Sequence, residues 1–316
     1  MHRKGLHCGS TAMGDALRLH GLDLPEDKLF GLGAGLGFSL HDGDTSLEPP
    51  QASRFFVGRS ASYERDLCGI VGARLEEDHL RSSAEAWRRV EAVLRADGFP
   101  LVYTDLFHLP YVGARGHWYG HLVGIAGLRG SDALVADNEH EELQSCPIEN
   151  LKAALGTGHP VRRSPTCTVL RVVSAPREVP PDVARKAVRR NALQMTEDAD
   201  TGAGVRALRS LPHELISWAR RPDWQRCARL CGQAIEVRGS GGGLFRRMYA
   251  RFLRQSGFPA LADLCVESAD AFTALATALE IARASEKPDL AAAAEHAEEC
   301  AGAEEALWKH ALEVCG

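Results

Sequence analysis

"GHWYGHLVGIAGLRGSDALVADNEH", residues 116–140, holds two apolar runs separated by a short polar break. "GHLVGIAGL" (120–128) and "DALVAD" (132–137) have the length and composition of strands, and residues 129–131 supply the turn between them. So short a connection joins antiparallel neighbours only, because parallel strands need a crossover of a dozen residues or more. His121 opens the first strand and Asp137 closes the second. In such a hairpin the start of one strand lies beside the end of the next, so these two side chains are expected as neighbours.

Working outward, "SSAEAWRRVEAVLRADG" (82–98) reads as a capped amphipathic helix ended by Gly98, and "PLVYTDL" (100–106) as a strand. "PIENLKAALG" (147–156) is a short helix and "CTVLRVV" (167–173) a last strand. Helices first and an antiparallel meander after them make an α+β domain. The prolines of "SAPREVPPD" (174–182) resist both helix and central strand and mark a boundary. Alanine- and leucine-rich helices are expected beyond it, around 183–195, 202–220, 223–237, 243–255, 258–285 and 289–314. The expected domains are therefore 1–173 and an all-helical 174–316.

With 316 residues, 45% hydrophobic and 25% charged, the chain has room for two domains. A net charge of -5 gives no reason to expect nucleic acid. No apolar run reaches the roughly 18 residues of a membrane span, and "MHRKGLHCGS" lacks the apolar core of a signal peptide. The expectation is a cytoplasmic protein with no membrane partner. Nine scattered cysteines without a Cys-x-x-Cys pair read as reduced, mostly buried thiols. Cys227 and Cys231 stand four apart without a second ligand pair, so no metal site is expected. Charge is uneven: residues 162–254 hold 19 Lys and Arg against 8 Asp and Glu, while residues 255–316 hold 3 against 12. Arg247, Arg251 and Arg254 share one helical face, which suits either docking of an acidic partner or a solvated face balanced by the acidic neighbour.

"HCGSTAMGDALRLHGL" (7–22) carries Ala12, Met13, Ala16, Leu17 and Leu19 at helical spacing, with Ser10 or Thr11 as a cap and Gly21 as its end. Cys8 then sits in a first turn, where unpaired N–H groups and the positive dipole end favour a thiolate. A free cysteine is equally a small packing residue, and a partner histidine decides between the two. His121 can take the thiol proton, and Asp137 can fix the imidazole tautomer and stabilise its charged form. A helix-borne cysteine packed on a hairpin bearing His and Asp, in that chain order, is the papain-like arrangement. His121 as an ordinary half-buried histidine and Asp137 as a turn former remain alternatives, and His117 is a second candidate base.

The runs "HCGSTA" (7–12), "LPEDKLFGLGAGLGF" (24–38), "LPYVGARGHWYGHLVGIAG" (109–127) and "VADN" (135–138) resemble the N-terminal domain of the butirosin biosynthesis protein H family. "GVRALRSL" (204–211) and "IEVRGSGGGLFRRMYARFL" (235–253) resemble the helical domain that accompanies it. The resemblance implies a papain-like cysteine enzyme with no cofactor. Its name-giving member moves an aminoacyl chain from an acyl-carrier-protein thioester to an amine of an aminoglycoside. By position, Cys8 is then the nucleophile, His121 the base and Asp137 the orienting acid, with a carrier-protein donor and an amine acceptor as partners. Papain-like enzymes usually place a glutamine six residues before the cysteine, and here that position is His2. A cysteine hydrolase using water as acceptor and a noncatalytic binding module are the alternatives.

The glycines of "GLGAGLGF" (31–38) do not fit a dinucleotide fingerprint, which needs a strand before them and a helix after. They are expected instead to let the backbone pass close to another element. "RGSGGG" (238–243) has no lysine in the P-loop position.

Overall fold

Capping and apolar spacing set the helices, and a computed structural model describes residues 2–156, 167–197 and 202–316. Helices α1 (Cys8–Leu19) and α2 (Glu26–Leu32) precede two antiparallel strands, β1 (Leu36–Asp42) and β2 (Arg54–Arg59). Helix α3 (Tyr63–Val71), strand β3 (Arg74–Leu80) and helix α4 (Ser83–Arg95) follow. Ser82 caps α4 by accepting from the Glu85 N–H, and Ala86, Trp87, Val90 and Val93 make its buried stripe. Then come β4 (Leu101–Thr104), β5 (His121–Arg129), β6 (Asp132–Ala136), β7 (Gln144–Pro147), α5 (Ile148–Leu155) and β8 (Cys167–Ser174). The remainder is helical: α6 (Val183–Glu197), α7 (Gly204–Trp218), α8 (Trp224–Glu236), α9 (Arg246–Gln255), α10 (Pro259–Ala284) and α11 (Ala291–Cys315).

One compact unit comprises Met1–Leu29, Ser46–Gln51 and Glu64–Pro180. Its six-stranded antiparallel sheet runs β3-β8-β4-β5-β6-β7: β4, β5 and β6 follow the expected meander, β7 adds a strand that was not expected, and β8, expected as the last strand, returns to lie between β3 and β4. Val102, Val123, Ile125, Val135 and Val169 of the sheet pack with Trp87 and Val90 of α4 and Leu151 of α5 in one core. Helix α1 packs against β5 and β8.

The other unit comprises Phe30–Thr45, Ala52–Tyr63 and Pro181–Gly316. The expected division at residue 173 assigned the β1–β2 hairpin to the first domain, whereas here it packs with α6, α7 and α8. Three tertiary features hold it there. A Cβ on Gly31 would lie 2.0 Å from Phe252 Cγ, so the glycine run does admit close approach of another element. Asn191 accepts from the Leu36 N–H and donates to the Leu36 carbonyl, at 3.1 and 2.7 Å. The third is Arg246, which is fully buried. It meets the buried Glu304 through Nε and Nη2 at 3.0 and 3.1 Å and donates to the carbonyls of Gly37, Gly58 and Leu244. A charge so deep in the protein persists only because every donor finds an acceptor.

The basic face of α9 is matched by its acidic neighbour. Arg247 pairs with Asp270 at 2.9 Å and Arg254 with Asp263 at 2.7 Å. Arg162 and Arg163 of the same basic segment lie outside the described residues. Among the described residues no helix is long and apolar enough to cross a membrane.

Candidate active site

Helix α1 starts at Cys8 because the preceding residue supplies the cap. The expected cap was Ser10 or Thr11; His7 takes the role instead, its Nδ1 accepting from the Ser10 N–H at 3.1 Å. A carboxylate braces the turn from below. Glu26 accepts from the N–H groups of Leu6 and His7, at 2.9 and 2.8 Å, and from the Ser10 hydroxyl at 2.9 Å. A Cβ on Gly5 would strike Thr11 Oγ1 at 2.1 Å, so the chain passes this point only as glycine.

The same turn is tied to the end of β6. Gly5 N–H donates to the Asn138 carbonyl at 2.9 Å, and Asn138 Nδ2 returns a bond to the Leu6 carbonyl at 3.1 Å. His2 adds a second tie: Nδ1 meets Asp15 Oδ2 at 2.5 Å, and Nε2 reaches the carbonyls of Asp137 and His140 at 3.1 and 3.0 Å. The Asp15 hydrogen bond, working against burial, raises the His2 pKa above the ordinary imidazole value. Both nitrogens are committed to scaffolding, so His2 does not stand in for an oxyanion-binding glutamine.

Strand register delivers the other two groups. Thr104 is the partner of His121 across β4–β5, and its hydroxyl donates to the His121 carbonyl at 3.0 Å. Gly124 pairs with Ala136, so one further step sets Asp137 opposite Val123, two residues along from His121 and on its face. His121 Nε2–H donates to Asp137 Oδ2 at 2.8 Å. Tyr111 Oη donates to the same oxygen at 2.9 Å, and Glu139 N–H to Oδ1 at 3.2 Å. His121 is also hydrogen-bonded to the Cys8 side chain. With Nε2 on Asp137, Nδ1 is the ring nitrogen left for the thiol.

The electrostatics favour a charged pair. Burial works against an imidazolium at His121, but the Asp137 charge and hydrogen bond, with a further contribution from Cys8, raise its pKa well above the ordinary value. Burial likewise pushes Asp137 up, and the charge of His121 with three hydrogen bonds overrides it, holding the carboxyl down at about 2. Cys8 is partly exposed, whereas the other eight cysteines are buried. Burial pushes all eight of those thiols up, Cys146 to about 11 and Cys68 to about 12. His117 stands apart, with Nδ1 on Asp105 Oδ2 at 2.6 Å and Nε2 against the Glu48 carbonyl at 3.3 Å.

Sequence reading missed Glu26, Tyr111 and Asn138 as supports. Glu26 looks like an ordinary acid in the first turn of α2, and only the "N" of "VADN" hinted at Asn138.

Fold and site together define an α+β protein with a cysteine at a helix N-terminus, hydrogen-bonded to a buried His–Asp pair. Residues 7–138 match the family described as Butirosin biosynthesis protein H, N-terminal, and residues 152–311 match the Domain of unknown function (DUF4872). The chain belongs to the butirosin biosynthesis protein H family, whose name refers to the making of an antibiotic. No curated protein matches the chain.

Proposed function

We propose that this protein is a cysteine-dependent N-acyltransferase of natural-product biosynthesis, working in the manner of papain-like cysteine enzymes. The observation that carries the reading is the continuous hydrogen-bonded series from Cys8 through His121 to Asp137. With its proton held by His121 as the imidazolium, Cys8 attacks as the thiolate the carbonyl carbon of an acyl thioester carried by a carrier protein. The new carbon–sulfur bond forms on Cys8 as the bond to the carrier sulfur breaks, and the imidazolium returns its proton to the departing thiolate. An amine then attacks the acyl-Cys8 carbonyl, the C–Sγ bond breaks, and His121 moves the amine proton to the Cys8 sulfur. The product is an amide.

The oxyanion of each tetrahedral intermediate is assigned to backbone N–H groups of the first turn of α1, where the helix dipole has its positive end. Thioester exchange is nearly balanced in energy and amide formation runs downhill, so neither step needs ATP.

Intact-mass spectrometry after mixing the protein with an acyl thioester tests this reading. The expected result is one acyl adduct that disappears faster when a primary amine is added, with the amide as product. An adduct that decays equally fast with and without amines would make the protein a hydrolase, and no adduct at all would favour a binding module.

A further inference from the structure

We propose that Asp105, His108 and His117 form a binding site for a divalent transition metal, with Zn²⁺ the preferred ion. Expectation from the sequence looked for metal only among the cysteines. The three groups lie on the loop between β4 and β5, and their donor atoms fall within 4.8 Å of one another. Asp105 is fully buried, and its Oδ1 is fixed by the N–H groups of Phe107 and Trp118 at 3.1 and 3.0 Å. Its second oxygen meets His117 Nδ1 at 2.6 Å and His108 Nε2 at 4.0 Å.

The ring of His117 is held at both nitrogens. Its Nε2 faces the Glu48 carbonyl at 3.3 Å. Its Nδ1 meets the Asp105 carboxylate at 2.6 Å, a contact that a proton or a metal ion can bridge. A backbone carbonyl on the far nitrogen and backbone N–H groups on the far carboxylate oxygen are the outer partners that orient metal ligands. Zinc bonds of about 2.0–2.1 Å set tetrahedral donors about 3.3 Å apart, so each of the two spacings at Asp105 changes by about 0.7 Å to accommodate it. Two imidazoles and one carboxylate favour Zn²⁺ over Mg²⁺ or Ca²⁺. His108, 29% exposed in its side chain, is on the route of entry.

Such an ion would clamp the loop that begins after Thr104 and ends at His121, holding the strand start that carries the proposed base. The three ligands would be positioning residues, and the metal claim stands or falls without the acyltransferase reading.

The test is calorimetric titration of chelator-treated full-length protein with Zn²⁺, in a Cys8→Ala background that removes the partly exposed thiol. The expected result is one ion per chain and a rise in the thermal midpoint on binding. Replacement by Co²⁺ should give d–d absorption without a sulfur charge-transfer band. His108→Ala, at a partly exposed position, should keep the metal-free midpoint and weaken binding by at least about 100-fold, the upper range for loss of a supporting group. No stoichiometric binding by the Cys8→Ala protein would show that a proton holds Asp105 and His117 together, and equal affinity in His108→Ala would remove His108 from any site. Either result overturns the proposal.

Discussion

Replacing Asp137 by Asn changes one atom and sets its neighbours a problem they cannot solve. The carboxylate accepts from His121, Tyr111 and Glu139 N–H, and an amide offers one oxygen where three donors arrive. If that oxygen faces His121 and Tyr111, the new NH₂ faces the Glu139 N–H across 3.2 Å. If the amide turns over, NH₂ faces His121 Nε2, which can accept only by sending its proton to Nδ1, the nitrogen left for the thiol. Either way one charge-assisted hydrogen bond is lost, at about 1.5–3 kcal/mol. Linkage gives a similar figure. A carboxyl at about 2 in the folded chain, against 3.8 ordinarily, adds about 2 kcal/mol at neutral pH. That stability is present above the ordinary carboxyl value and is lost as pH falls through about 2, so the Asn variant should show a flatter acid limb in urea denaturation. Turnover should drop by about three to four orders of magnitude, about 4–5 kcal/mol of barrier, as for loss of the acid in other triads. The raised His121 pKa keeps the imidazolium present to higher pH, so the alkaline limb of Cys8 acylation should lie above the ordinary imidazole range and move down in Asp137→Asn. A variant with full turnover and an unmoved alkaline limb would refute the role of Asp137.

Three further outcomes are expected. His121→Ala should lower turnover by about three orders of magnitude or more, and His117→Ala far less; the reverse order in steady-state rates would move the base to His117. Glu26→Gln should cost about 2 kcal/mol in urea unfolding and lower turnover of a small thioester, since it loosens the turn carrying Cys8; unchanged values for both would remove Glu26 from the support of the site. Dilute iodoacetamide should alkylate Cys8 before any other thiol, as peptide mapping would read, and first labelling elsewhere would contradict the exposure and charge argument.

The hairpin around residues 129–131 was legible because its two apolar runs and tight turn are local properties, and the register that sets Asp137 near His121 follows from them. The bulge between Ile125 and Gly127 was not, because nothing in the local pattern announces an extra residue. The six C-terminal helices lie close to their expected bounds, since each repeats apolar residues at helical spacing along a buried stripe. Strand β3, "RLEEDHL", escaped notice because an edge strand with four charged residues has no apolar face to read. Strands β1 and β2 escaped for a different reason. Their place beside the helices rests on Asn191, Phe252 and Arg246, partners at long separations in sequence. The same holds at the site: Cys8, His121 and Asp137 are chemically conspicuous, while Glu26 acts mainly through the backbone N–H groups of Leu6 and His7, which leave no spacing signature.

The central claim is that the acyl group passes through the sulfur of Cys8. A single-turnover reaction with a carrier-bound acyl thioester, quenched in acid before the amine is added and mapped by peptide mass spectrometry, reads this directly. The account predicts the acyl mass on the peptide containing Cys8, its transfer to the amine on the next addition, and neither event in Cys8→Ala. Amide formation by Cys8→Ala at the parent rate, or an acyl group found on another residue, would contradict it.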